Sequence, residues 1–274
     1  MLPDSTFRDA VVLVTGGGTG LGLVTARRFA ALGAKLVLAS RRSAHLDPAA
    51  AALAATGCDV LAVPTDVTRP GSVEALVEQA CARFGRIDVL VNNAAGNFLC
   101  PAEELSPAGF KVVIDIALNG VFYCSRAVGK RMLARGSGRI VNVVAAYAWT
   151  GGPGTIHSAA AKAGVVALTK TLAVEWGGRG LRVNAVCPGF FDSEGARERL
   201  WPDPAVAARM ARSVPVGRFG EMEEVANAIT YLASPFADYV NGEVLVVDGG
   251  QHLGKGIGGE GAPRRASFPT DGAS

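Results

Sequence analysis

The stretch Val11-Val12-Leu13-Val14-Thr15-Gly16-Gly17-Gly18-Thr19-Gly20-Leu21-Gly22 decides the fold. Four aliphatic residues in a row read as a buried strand, and the apolar spacing after Gly20 reads as a helix, so the glycines lie at a strand-to-helix turn. Glycine there lets the chain turn tightly and lets its backbone approach a pyrophosphate, while the helix N-terminus offers free N–H groups and partial positive charge. The spacing is GxxxGxG, at Gly16, Gly20 and Gly22, and not GxGxxG. Thr15, Gly16, Gly18, Thr19, Gly20, Leu21 and Gly22 are therefore candidate contacts to a dinucleotide.

Working outward, short β-branched runs alternate with Ala-rich stretches. Strands are expected at 11–15, 35–40, 60–64, 89–93, 139–144, 181–186 and 244–248, and helices at 20–32, 47–56, 72–84, 107–134, 156–177 and 222–233. This rhythm predicts an α/β fold: one doubly wound Rossmann domain over 1–253 with a seven-stranded parallel sheet. Residues 190–221 interrupt the rhythm, either as a substrate-binding insertion at the C-terminal ends of the strands or as a surface excursion. The Gly-rich stretch 254–274 is expected to be a flexible tail.

Composition narrows the function classes. The chain has 274 residues, 49% hydrophobic and 19% charged, which suits a sizeable core. Its net charge of +3 is scattered, so no nucleic-acid surface is expected. No run approaches the roughly 18 uninterrupted apolar residues of a membrane span, and the N-terminus does not read as a secretory signal. Five cysteines without a CxxC read as buried thiols in a reducing compartment, and a cytoplasmic location is expected. Three separated histidines give no readable metal site.

Cofactor preference is readable at the end of the second strand. An NAD site usually places a carboxylate there for the ribose 2′-hydroxyl, whereas Arg accommodates a 2′-phosphate. Here the strand ends Ser40-Arg41-Arg42, which points to NADP. Asp66, followed by Val67, either meets the adenine amino group or caps a turn. Asn93, Ala94, Ala95 and Gly96 follow the fourth strand with small residues, where a backbone can lie against a cofactor.

Taken together, TGGGTGLG, Asp66-Val67, NNAAG, Lys162, Cys187-Pro188-Gly189 and the closing VDGG (247–250) resemble the short-chain dehydrogenase/reductase family over about residues 8–253. The resemblance implies a Rossmann fold, a nicotinamide cofactor, hydride transfer and commonly a homotetramer. The family normally has Tyr four residues before the Lys and Ser seventeen before it, and these positions hold Ser158 and Ala145. Tyr147 stands two residues beyond Ala145. On an extended strand end it would face the same way, into the space of the missing pair, or else pack at the sheet rim.

Within the family the chain is similar to the 2,4-dienoyl-CoA reductases. Their pattern is matched by NNAAGNF (Asn92 to Phe98), Leu105-Ser106-Pro107, the segment Asp115 to Gly120, Tyr147-Ala148 and Ser158. That resemblance implies Tyr147 and Asn97 as the catalytic pair, with Lys162 and Ser158 holding the nicotinamide ribose. Phe98, Ser106 and Arg199, with Asn97 and Tyr147, would line the acyl-CoA site, and Pro188, Gly189, Phe190 and Phe191 would meet the nicotinamide. Some members carry an Arg directly after the Asp-Val pair to meet CoA; here Thr68 stands there and Arg69 follows. The activity the resemblance implies is NADPH-dependent reduction of an unsaturated acyl-CoA, foremost a 2,4-dienoyl-CoA to a 3-enoyl-CoA, by hydride transfer with Tyr147 and Asn97 stabilising the dienolate. Reduction of a trans-2-enoyl-CoA, reduction of a 3-ketoacyl or other carbonyl substrate, and a catalytically silent NADP-binding protein stand as alternatives.

Overall fold

A computed structural model describes residues 2–191 and 203–253; Arg199 and the 254–274 tail lie outside them. Strands β1 (Val11–Thr15), β2 (Lys35–Ser40), β3 (Val60–Pro64), β4 (Val89–Asn92), β5 (Gly138–Val143), β6 (Leu181–Pro188) and β7 (Val244–Val247) form one parallel sheet in the order β3-β2-β1-β4-β5-β6-β7. The order reverses between β1 and β4, which is where a doubly wound sheet opens a crevice at its carboxyl edge. Leu13 pairs with Val37 on one side and Leu90 on the other.

Side-chain alternation along the strands builds two cores. Val12, Val14, Leu36, Leu38, Val89 and Val91 face one layer with Leu21 and Phe29 of α1 (Gly20–Ala31), Leu46 and Leu53 of α2 (Ser43–Ala54), and Ile229 of α9 (Met222–Leu232). Val11, Leu13, Val37, Leu90 and Ile140 face the other. There they meet Leu76 of α3 (Pro70–Phe84), Met132 of α5 (Gly120–Arg135) and Ala173 of α7 (Ile156–Gly177). A strand covered on both faces must be apolar at every position, as β1 is.

Four elements depart from the sequence expectation. Helix α2 starts at Ser43, four residues early and through Pro48, because fully buried Leu46 anchors its first turn with Ala49 and Leu53 on the same face. The 107–134 helix is α4 (Pro107–Ile114) and α5 joined by a π-helical turn, Asp115–Asn119. This combined helix is apolar and long enough to cross a membrane by length and composition alone, but it lays one face on the sheet and α3. A helix α8 (Pro204–Ser213), capped by Asp203, occupies part of the irregular 190–221 segment. The fourth departure, at Tyr147, belongs to the site.

Among the cysteines, all free, only Cys124 and Cys187 are fully buried, which corrects the expectation of five buried thiols.

Candidate active site

At the β1–α1 turn, Gly16 has φ +67°, and a Cβ on Gly22 would stand 2.2 Å from the Gly16 carbonyl oxygen. Thr19 is the N-cap of α1, yet its hydroxyl makes no capping bond and no acidic residue lies in the first turn. The first N–H groups of α1 are thus left for an anion. They open on a cleft of about 480 Å³ whose lining includes Gly16, Thr19, Ser40, Arg41, Arg42 and Asp66.

The cleft fits the adenosine end of a dinucleotide. The Ser40 hydroxyl is buried there without a hydrogen-bond partner among the described residues. Beside it, Arg41 and Arg42 are exposed and unpaired among the described residues. Asp66 Oδ1 accepts from the backbone N–H (3.0 Å) and hydroxyl (2.8 Å) of Thr68. Partial burial pushes its carboxyl up, but those bonds and the charges of Arg69 and Arg41 hold it below the usual range. Asp66 is therefore both a turn cap and a cleft residue.

Several expected contacts are structural supports. Buried Thr15 accepts from the N–H groups of Asn93 and Ala94, both at 3.0 Å, tying β1 to the loop after β4. Asn93 donates to the carbonyls of Thr15 and Gly16 at 3.0 and 3.4 Å, so it shapes the turn from below. Its neighbour Asn92 donates to Ser125 and Asn142, and Asn142 donates to Thr169 of α7 at 2.8 Å. That buried network locks β4, β5, α5 and α7 under the site.

The reactive end lies beyond β5 and β6. Tyr147 is the first residue of a short helix, α6 (Tyr147–Thr150), and not an extended strand end; Ala146 before it is already αR. Its direction therefore comes from that turn, which places the phenol oxygen 2.9 Å from Ser158 Oγ on α7. Burial raises the phenol above its ordinary value, the Ser158 bond opposes this, and Cys187 adds to the rise. One turn along α7, buried Lys162 donates to the Val143 carbonyl at 2.6 Å. Burial lowers its ammonium to about 8, partly opposed by Cys187.

Two neighbours stand in the quoted motifs but carried no expected site role. The thiol of fully buried Cys187 is pushed up to about 12 by burial and by Asp248, with Lys162 opposing. Burial raises the Asp248 carboxyl, but the N–H groups of His252 and Gly250 and the His252 ring outweigh it and hold the group below its ordinary value. Position alone could have flagged both, since Cys187 lies at the C-terminal end of β6 and Asp248 just past β7.

The remaining predicted residues fall into two groups. Asn97 Oδ1 accepts from the Phe98 N–H at 2.9 Å, which leaves its Nδ2 hydrogens to donate. Its loop is fixed to the start of α7 by Cys100 N–H on the Gly154 carbonyl (3.0 Å) and by the Phe98 ring against His157. Gly189 lies against Asp248, the Phe190 N–H donates to Gln251 Oε1 at 2.9 Å, and Phe191 lines the cleft. Pro188 ends β6. Ser106 accepts from Gly109 N–H as the N-cap of α4, and the expected role of Arg199 lies outside the described residues.

A parallel sheet with a glycine cradle at its crevice and a Tyr–Ser–Lys group at the ends of β5 and α7 defines a dinucleotide-dependent oxidoreductase site. The family profile described as Enoyl-(Acyl carrier protein) reductase matches residues 16–252. The chain belongs to the short-chain dehydrogenase/reductase family. It is 44% identical to the "Peroxisomal 2,4-dienoyl-CoA reductase [(3E)-enoyl-CoA-producing]" of Pongo abelii, over 90% of this chain and 85% of that protein. It is 43% identical to the Bacillus subtilis "Probable 2,4-dienoyl-CoA reductase [(2E)-enoyl-CoA-producing]", over 88% and 96%. A short chain dehydrogenase from Bacillus anthracis is 48% identical with TM-score 0.82, covering 89% of this chain and 97% of that one. A gluconate 5-dehydrogenase from Burkholderia cenocepacia, solved with NADP and tartrate, is 33% identical with TM-score 0.86 over 91% and 98%.

Proposed function

We propose that the protein reduces 2,4-dienoyl-CoA thioesters with NADPH, giving a 3-enoyl-CoA. The observation that carries this reading is the half-buried Tyr147 phenol hydrogen-bonded to Ser158, where the family's usual Tyr and Ser are replaced by Ser158 and Ala145. A carbonyl reductase must hand a proton to an alkoxide, which favours a phenol lowered by a nearby ammonium. Stabilising a dienolate needs only a hydrogen-bond donor that keeps its proton.

NADPH would be held by the Gly16–Gly22 turn, Ser40, Arg41, Arg42, Asp66 and Lys162, and when bound it supplies the hydride. With hydride added at the δ carbon of the substrate, charge develops along the conjugated chain to the thioester oxygen. Tyr147 O–H and the free Asn97 Nδ2–H donate to that oxygen; one such donor is worth about 3–4 kcal/mol in the transition state. Solvent then protonates the α carbon. Ser158 orients the phenol, and Phe98, Leu99 and Trp149, exposed apolar side chains on the flanking segments, offer a surface for the acyl chain.

The names of the two dienoyl-CoA reductase relatives support the substrate class, and the NADP-bound relative supports the cofactor. Reduction of a trans-2-enoyl thioester at the β carbon is a second reading, favoured by the profile's description. Assembly into a homo-oligomer, with four subunits as the family resemblance implies, is part of the proposal. It is supported by exposed Val112, Phe122 and Val174 on α4, α5 and α7. The test is Tyr147→Phe, for which kcat falls by about 100-fold or more while the NADPH Kd is unchanged. Near-normal turnover by this variant overturns the assignment.

A further inference from the structure

Helix α7 begins without a side-chain cap from its N-cap residue. The Thr155 hydroxyl donates to the Gly152 carbonyl at 2.8 Å and accepts from no helix N–H. The Gly154 carbonyl is engaged by Cys100 N–H. In the first turn, the Ser158 N–H is taken instead by its neighbour's ring, with His157 Nδ1 accepting at 2.9 Å. A ring nitrogen that accepts carries no proton, so the imidazole is the Nε2–H tautomer.

That ring is fully buried, and Nε2 has no hydrogen-bond partner among the described residues. The Phe98 ring stands perpendicular to it with centroids 4.4 Å apart. A buried N–H without a partner is destabilising, so an apolar ring would fill this space more favourably. What imidazole provides and Phe cannot is the Nδ1 acceptor. That acceptor touches the one residue whose hydroxyl holds the Tyr147 phenol.

We infer that His157 is a positioning residue for the reacting pair. Its Nδ1 fixes the backbone of Ser158, and with it the hydroxyl that aims Tyr147. Its ring seats Phe98, and with it the loop that carries Asn97. One side chain thus sets both donors of the oxyanion site relative to each other without touching substrate. The inference rests on the dienolate reading of Tyr147 and Asn97 given above.

Three variants and one spectrum test it. His157→Phe keeps an aromatic ring but no acceptor at the Nδ1 position and lowers kcat by about 100-fold, the scale of a misplacement of about 1 Å, with the NADPH Kd unchanged. His157→Asn carries an acceptor at the position of Nδ1 and restores most of the lost kcat, whereas His157→Gln, which matches Nε2, does not. The ¹⁵N spectrum of the wild-type histidines, assigned by the signal lost in His157→Asn, shows the Nε2–H tautomer for His157. Wild-type kcat in His157→Phe, equal rescue by Asn and Gln, or an Nδ1–H tautomer overturns the inference. If His157→Phe does not fold, the tautomer and the Asn–Gln contrast still decide. A wild-type protein inert towards dienoyl-CoA but showing the Nε2–H tautomer would count against the reaction and in favour of the ring's contact with Ser158.

Discussion

Arg41 and Arg42 directly follow the second strand, where a carboxylate would hold a ribose hydroxyl, and neither has a hydrogen-bond or ion-pair partner among the described residues. With the buried, unpaired Ser40 hydroxyl they make a polar, cationic corner suited to a 2′-phosphate. Truncating either arginine to Ala is expected to raise the NADPH Kd roughly tenfold, the scale of one charge-assisted hydrogen bond, and to leave NADH binding unchanged. Fluorescence titration with both cofactors checks this; equal losses for the two would contradict it. Lys162 gives a pH prediction. Its ammonium is lowered to about 8 by burial, so below that pH it is charged, and above it binding an anionic cofactor requires proton uptake. The NADPH Kd should therefore rise as pH increases from 8 to 10, and in Lys162→Met the slope should be absent. A wild-type Kd that is flat over this range would count against a charged Lys162 in the complex.

Among the elements, β1 and the turn after it were legible because their constraints are local. A strand buried on both faces is apolar throughout, and a backbone that must approach itself needs glycine. Gly22 shows how strict this is, since an added Cβ would meet backbone and the side chain of Asn93 at once. Gly22→Ala is expected to lower Tm by about 2–10 °C and to abolish NADPH binding, measured by scanning calorimetry and titration. Wild-type values for both would refute the account of the turn. The short α6 helix was not legible: four residues, Tyr147 to Thr150, carry no periodicity, and their turn is set by contacts with α7. The π-helical turn at Asp115–Asn119 likewise left no mark on the apolar spacing. Tyr147 was thus picked out by its place in the chain, while the geometry that aims it came from tertiary packing. The roles of Cys187 and Asp248 were not legible for the same reason, as Cys187 meets Lys162 and Asp248 only once β5, β6 and β7 are laid side by side.

For the whole molecule, one sheet carries the cofactor turn, the Asn97 loop and the Tyr147–Ser158 pair at its carboxyl edge, so cofactor binding and fold stability are coupled. NADPH at a hundred times its Kd should add about 2.7 kcal/mol and raise Tm by about 5–10 °C, with a smaller rise from NADH at the same concentration. Light scattering should give a multiple of the chain mass, since Val112, Phe122 and Val174 are exposed large apolar side chains on the described helices; a monomer at micromolar concentration would contradict the assembly. The central claim is the substrate. The most direct measurement is NADPH oxidation, followed by absorbance, with a trans-2,trans-4-dienoyl-CoA, a trans-2-enoyl-CoA and a 3-ketoacyl-CoA compared side by side. Rapid oxidation with the diene, little with the other two and a 3-enoyl-CoA product is the predicted result. Turnover of the ketoacyl thioester in preference to the diene, or silence with all three despite tight NADPH binding, would contradict it.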